Sequence, residues 1–144
     1  MDTNILVHAH RAGTPKHERS LSWIRHLAEG PVPWGLPVFC LGEFVRVVTH
    51  PRVLDRPSSL EEAWDAIEGL LESPTLRVLY PGERYPGLFH DALGAAEARG
   101  NLAFDAQIVA VCRERGASRL LTLDRDFARF PGVAILSPED EPSA

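Results

Sequence analysis

A chain of 144 residues with 44% hydrophobic and 24% charged side chains has the size and balance of one globular unit, and we expect residues 1–144 to form a single domain. No apolar run is long enough to span a bilayer, and no basic segment followed by an apolar stretch opens the chain, so membrane and secretory readings are set aside. A net charge of −5 argues against a general polyanion binder, although 14 of the 15 cations are arginine and Lys16 is the only lysine. Arginine's planar fork suits phosphate and carboxylate, but codon bias in a GC-rich genome produces the same composition. The two cysteines, Cys40 and Cys112, lie in apolar segments without C-x-x-C spacing and need not pair, which fits a reducing cytoplasm.

In chain order, "DTNILVHAH" fits both helical and strand periodicity, and Asp2 as an N-cap tips it to a helix. "KHERSLSWIRHLAEG" predicts a second helix with Leu21, Ile24, Leu27 and Ala28 on one face and Gly30-Pro31 as its stop. "VPWGLPV" reads as extended, and it leads into a helix in "FCLGEFVRVVTH" with Leu41, Phe44, Val45 and Val48 inward. "SSLEEAWDAIEGLLESP" is the clearest helix: Ser59 and Glu62 have capping-box spacing, and Ala63, Ile67, Leu70 and Leu71 form its apolar stripe. A strand in "TLRVLYP" precedes a helix in "GLFHDALGAAEARG", ended by Gly100. Another helix follows in "FDAQIVAVCRERG", with Ala106, Val109 and Cys112 inward and Gly116 as its stop. "SRLLTLDRDFARFPGVAILSP" closes the chain as strand, short helical turn and strand. Short apolar strands alternating with helices imply an α/β fold around a buried, mostly parallel sheet.

Sites in such folds gather at the carboxyl ends of the strands. Asp124 follows the apolar run "RLLTL", Asp105 opens its helix after Phe104, Glu43 stands among Leu41, Phe44 and Val45, and Asp2 precedes the first helix. Each acid alone has a structural explanation as a helix cap, a turn residue or a solvated flank. Together they point to one edge, where mutual repulsion calls for a counter-charge. A divalent cation with oxygen ligands supplies it, and the same ion can serve phosphodiester hydrolysis.

Four blocks, "DTNILVHA", "GEFVRVVTHPRVL", "GNLAFDAQIVAVCRERGA" and "LLTLDRDFARFPGVAI", resemble the PIN domain, and more narrowly the VapC-type toxins of bacterial toxin–antitoxin systems. The resemblance implies a three-layer α/β/α sandwich and an endoribonuclease dependent on Mg²⁺ or Mn²⁺ that cuts RNA such as tRNA or rRNA through metal-activated water. It maps the catalytic, metal-holding quartet to Asp2, Glu43, Asp105 and Asp124, with Asn4 and Thr122 in support and Asp126 as a further outer acid. It also implies a cognate antitoxin of VapB type that blocks the site, and a homodimer. In two respects the sequence departs from the pattern. The family carries a short apolar strand before its first acid, but only Met1 precedes Asp2 here, so the first strand is missing or truncated. We therefore expect exposed neighbouring strand edges and a frayed Asp2, with a reading frame that starts further upstream, a trimmed chain, or a variant that manages without the strand as the alternatives. His50 also stands where relatives carry a polar amide, which bears on substrate contacts.

Arg46, Arg52 and Arg56 are candidate RNA contacts, with a solvated loop as the alternative. Trp23, Trp34 and Trp64 are possible stacking surfaces, though Trp64 suits a core or interface better. His8 and His10 lack chelating spacing, and His17, His26 and His90 are expected on exposed helix surfaces. Neither a phosphate-binding glycine loop nor a serine nucleophile elbow is present. The rival functional reading is a non-catalytic PIN-like protein that binds RNA or an antitoxin. A phosphatase-like use of Asp2 as a nucleophile would want a second acid beside it, and none is there.

Overall fold

The computed structural model describes residues 1–142. Within them the chain runs α1 (Thr3–His10), α2 (His17–Glu29), β1 (Trp34–Pro37), α3 (Phe39–Val48), α4 (Leu60–Leu71) and β2 (Leu76–Leu79). It continues through α5 (Tyr85–Ala96), α6 (Leu102–Glu114), β3 (Arg119–Leu121), a 3-10 helix (Arg125–Arg129) and β4 (Ala134–Leu136).

Local chemistry explains most boundaries. Asp2 is extended and accepts the Thr3 N–H, so α1 begins with one of its orphan donors satisfied. Ser59 and Glu62 form both halves of a capping box at the start of α4. Gly116, at φ 75°, adopts the left-handed turn that ends α6. Helix α5 departs from expectation: it stops at Ala96, because Glu97 turns left-handed at φ 48° and Ala98 N–H reaches back to Leu93 O.

The strands form two parallel pairs. β1 pairs with β2, Trp34 opposite Leu76 through Pro37 opposite Leu79. β3 pairs with β4, Arg119 opposite Ala134 through Leu121 opposite Leu136. What joins the pairs is the start of the chain. Met1 N donates to Gly35 O at 2.9 Å and Asp2 N donates to Leu121 O at 3.0 Å, so two residues stand where a strand between β1 and β3 would lie. The expected fraying of Asp2 is therefore corrected. Backbone pairing on both sides holds it in place, and its residue is only 6% exposed.

Helix α1 packs on α2 and α3, α3 on α4, and α5 on α6, while β1 touches both α3 and α6. The strands thus lie between two helical groups. Ile5, Leu36, Val48, Val109, Leu120 and Phe127 are almost completely buried in the shared core. Cys40 and Cys112 are buried and unpaired, and burial pushes the Cys40 thiol up to about 12.

Two helical faces differ from the sequence pattern. In α2 the buried residues are Ser20 and Trp23, with Leu21, Ile24, Leu27 and Ala28 only partly covered. In α4, Leu71 is 43% exposed, at the last position of the helix. Trp23 and Trp34 are buried and offer no stacking face, whereas Trp64 is exposed and donates its indole N–H to Glu68.

Candidate active site

Three elements deliver acids to one open cleft of about 790 Å³. Glu43 comes from α3, Asp105 from the first turn of α6, and Asp124 and Asp126 from the segment after β3. Asp124 caps the 3-10 helix by accepting the Asp126 N–H at 2.8 Å. Asp2 lies behind these four, close enough for its charge to act on Asp105.

Asp2 is held by three donors. Thr3 N–H reaches Oδ1 at 2.7 Å, while Asn4 Nδ2 and Thr122 Oγ1 reach Oδ2 at 2.7 and 2.6 Å. A carboxylate offers about four acceptor positions, so one on Oδ1 stays free. Thr122 is 2% exposed. Its hydroxyl donates to Asp2 and accepts from Asn4 Nδ2 at 3.1 Å and Asp124 N at 3.0 Å, which uses its whole capacity. Asn4 Oδ1 accepts the Leu123 N–H at 3.2 Å, which fixes the orientation of that amide. One cluster therefore couples α1 to the end of β3.

Sequence reasoning missed Thr3, whose hydroxyl donates to Glu43 Oε2 at 2.8 Å. A contact across 40 residues leaves no local trace. Phe104, Asn101 and Gln107 also line the cleft without having been singled out. Phe104 had a legible signal, since it falls off the Ala106–Val109–Cys112 face of α6.

Charge is crowded here. Burial, then the carboxylates of Asp124, Asp2, Glu43 and Asp126, push Asp105 up to about 7. Burial also raises Asp2, against the lowering effect of the Thr122 and Thr3 hydrogen bonds. Arg46, with its guanidinium 3.6 Å from Glu43 Oε1, is the one cation among the described residues lining the cleft.

The oxygen-only donor set suits a hard divalent ion. Among the described residues no three His, Cys, Asp or Glu side chains stand close enough to form a ready-made chelate. In general Mg²⁺ takes one or two carboxylates and completes its shell with water and substrate oxygens.

A prediction on stability follows from Asp105. Its folded value of about 7 lies above the usual ~3.9 of an unfolded aspartate. The protonated fold is favoured below the unfolded value, and that advantage disappears as pH rises through about 7. Without metal, the melting temperature of wild type relative to Asp105→Asn should therefore fall between about pH 5 and pH 8, as read by thermal denaturation. Added Mn²⁺ should restore wild type most strongly at the upper pH.

The remaining predicted residues separate. Arg52 and Arg56 do not line this cleft. Arg56 borders another depression with His10 and Glu62, and its carbonyl accepts from Arg11. His50 turns its Nδ1 to the Arg52 N–H at 3.1 Å, a local turn contact. His17 is largely covered and bonds the His8 carbonyl, His26 is partly covered, and only His90 of that group is exposed.

The sequence profile of the PIN domain matches residues 1–133. The chain belongs to the PIN-domain family. Its relatives include VapC ribonuclease Mb2897 of Mycobacterium bovis and Ribonuclease VapC43 of Mycobacterium tuberculosis. Each is 40% identical over 97% of this chain and 95% of its own. Ribonuclease VapC48 of Mycobacterium tuberculosis is 32% identical over 95% of this PIN domain and 94% of its own length. Among solved structures, VapBC2 from Rickettsia felis, bound to a DNA fragment from their promoter, superposes with a TM-score of 0.68. It covers 94% of both chains at 17% identity, a likeness of fold. The family read from four sequence blocks, and the α/β fold expected with it, are borne out.

Proposed function

We propose that this PIN domain is a Mg²⁺- or Mn²⁺-dependent endoribonuclease, the toxin of a VapBC-type pair acting in the cytoplasm. The observation that carries the reading is the convergence of acids from three separate elements on one open cleft, with Asp2 fixed behind them. The ribonuclease names of relatives 40% identical along nearly the whole chain support it.

In this reading Asp2, Glu43, Asp105 and Asp124 hold the ion, while Asn4 and Thr122 orient Asp2. Thr3 orients Glu43, and Asp126 adds negative charge at the mouth. A divalent ion held there neutralises the acids and supplies Lewis-acid activation of water and phosphate. Arg46 is placed to exchange its pairing with Glu43 for a substrate phosphate. A VapB-type antitoxin and a homodimer complete the proposal by likeness to VapC proteins. The choice between tRNA and rRNA belongs to experiment.

A non-catalytic protein would have no need to fix Asp2, and the buried, three-donor Asp2 weighs against that alternative. The deciding experiment incubates the purified chain with total tRNA and with rRNA in Mn²⁺, in Mg²⁺ and in excess chelator. Calorimetric Mn²⁺ titration runs in parallel. Cleavage that needs the ion, with measurable Mn²⁺ binding, is the expected result. Mn²⁺ binding without cleavage of any RNA would favour the binding-only alternative.

A further inference from the structure

Phe104 is out of place for a core residue. It sits on the first turn of α6 with 63% of its surface exposed, while Ala106, Ile108, Val109 and Cys112 on the same helix are all but buried. Among the described residues its ring pairs with no other aromatic ring and joins no part of the hydrophobic core. It does line the acidic cleft, directly beside Asp105. Packing therefore leaves the ring's position unexplained, and exposure of an apolar ring is itself unfavourable.

The electrostatics of the cleft suggest its use. Most single-strand binders draw affinity from a cationic groove. Here the chain carries a net charge of −5, and Arg46 is the one cation among the described residues lining the cleft. An ion among the acids can anchor one phosphate, yet neighbouring phosphates still meet a negative wall. Affinity must then come from a contact that carries no charge. An exposed aromatic face supplies it, because every nucleobase has a π-face to stack on it.

We propose that Phe104 is a stacking platform for an unpaired nucleobase next to the scissile phosphate, and so a residue that sets the specificity of this site. The inference rests on the ribonuclease reading above. A base inside a duplex is already stacked on its neighbours, whereas a base in a loop or bulge can be splayed onto the ring. Phe104 then selects for unpaired segments without reading sequence.

The test measures anisotropy of a fluorescein-labelled, unpaired RNA of about ten nucleotides and of its blunt duplex. Ca²⁺ replaces Mg²⁺ to suppress turnover. Phe104→Ala and Phe104→Leu should each weaken binding of the unpaired RNA about tenfold, and Phe104→Trp should restore it. Leucine keeps apolar bulk without the π-face, so a Leu variant equal to wild type overturns stacking. Equal binding by the Ala variant, or the same loss on duplex as on unpaired RNA, also overturns it. So does a change confined to self-association, read by sedimentation, which would assign the ring to a protein interface. Wild type that cuts RNA while Phe104→Ala binds normally overturns this proposal alone. Wild type that neither binds nor cuts RNA brings down the ribonuclease reading with it.

Discussion

Asp105→Asn is expected to abolish RNA cleavage, by a factor on the order of a thousand, while leaving the chain folded. Asparagine keeps the shape of the side chain and removes its charge. Asp105 is crowded by the other acids: burial and the charges of Asp124, Asp2, Glu43 and Asp126 push it up to about 7. Removing that charge relieves repulsion in the metal-free protein, so its melting temperature near pH 8 should equal or exceed that of wild type. Affinity for Mn²⁺ should fall, because a neutral amide oxygen binds a hard cation less well than a carboxylate. Loss of activity together with retained stability separates a functional acid from a structural one. Undiminished, metal-dependent cutting by this variant would end the assignment, and a large drop in melting temperature would make Asp105 a folding residue instead.

Thr122→Val should be among the most damaging single substitutions to stability. Valine matches threonine in volume but cannot donate to Asp2 or accept from Asn4 and the Asp124 N–H. It would leave three polar partners short of a bond in a region where Thr122 is 2% exposed. A buried carboxylate deprived of a donor costs about 2–4 kcal/mol, equivalent to a fall of roughly 10 °C in melting temperature for a chain of this size. Thr122→Ser keeps the hydroxyl and should recover most of the loss. Activity should follow the same order, because Asp2 and Asp124 both take their positions from this group. A valine variant as stable as wild type would show that Asp2 needs no donor from the end of β3.

Several features were legible without coordinates because their causes are local. The capping box of Ser59 and Glu62, the N-cap at Asp2 and the left-handed stop at Gly116 each depend on atoms a few residues apart. The inward face of α6 was legible for a similar reason: Ala106, Val109 and Cys112 recur at helical spacing and are all buried. The acids could be named as candidates because charge beside apolar neighbours asks for a partner. Helix faces were harder, as in α2, where Ser20 and Trp23 are buried and Leu21, Ile24, Leu27 and Ala28 only partly so, because periodicity does not say which neighbours pack on a helix.

What the sequence by itself determined is the order of the elements, the α/β class, the family and the acids that converge. Tertiary structure alone decided how Asp2 is held, and it reversed the expectation of a frayed end. Met1 bonds across 34 residues to Gly35, Thr3 bonds across 40 to Glu43, and Thr122 bonds across 120 to Asp2. It also decided that Arg46 faces the acids while Arg52 and Arg56 do not, and that the ring of Phe104 opens onto the cleft. The division has one physical reason. Caps, turns and helical faces are set by short-range sterics and hydrogen bonds written in neighbouring residues. A buried carboxylate is stabilised by donors that only the closed chain brings within reach.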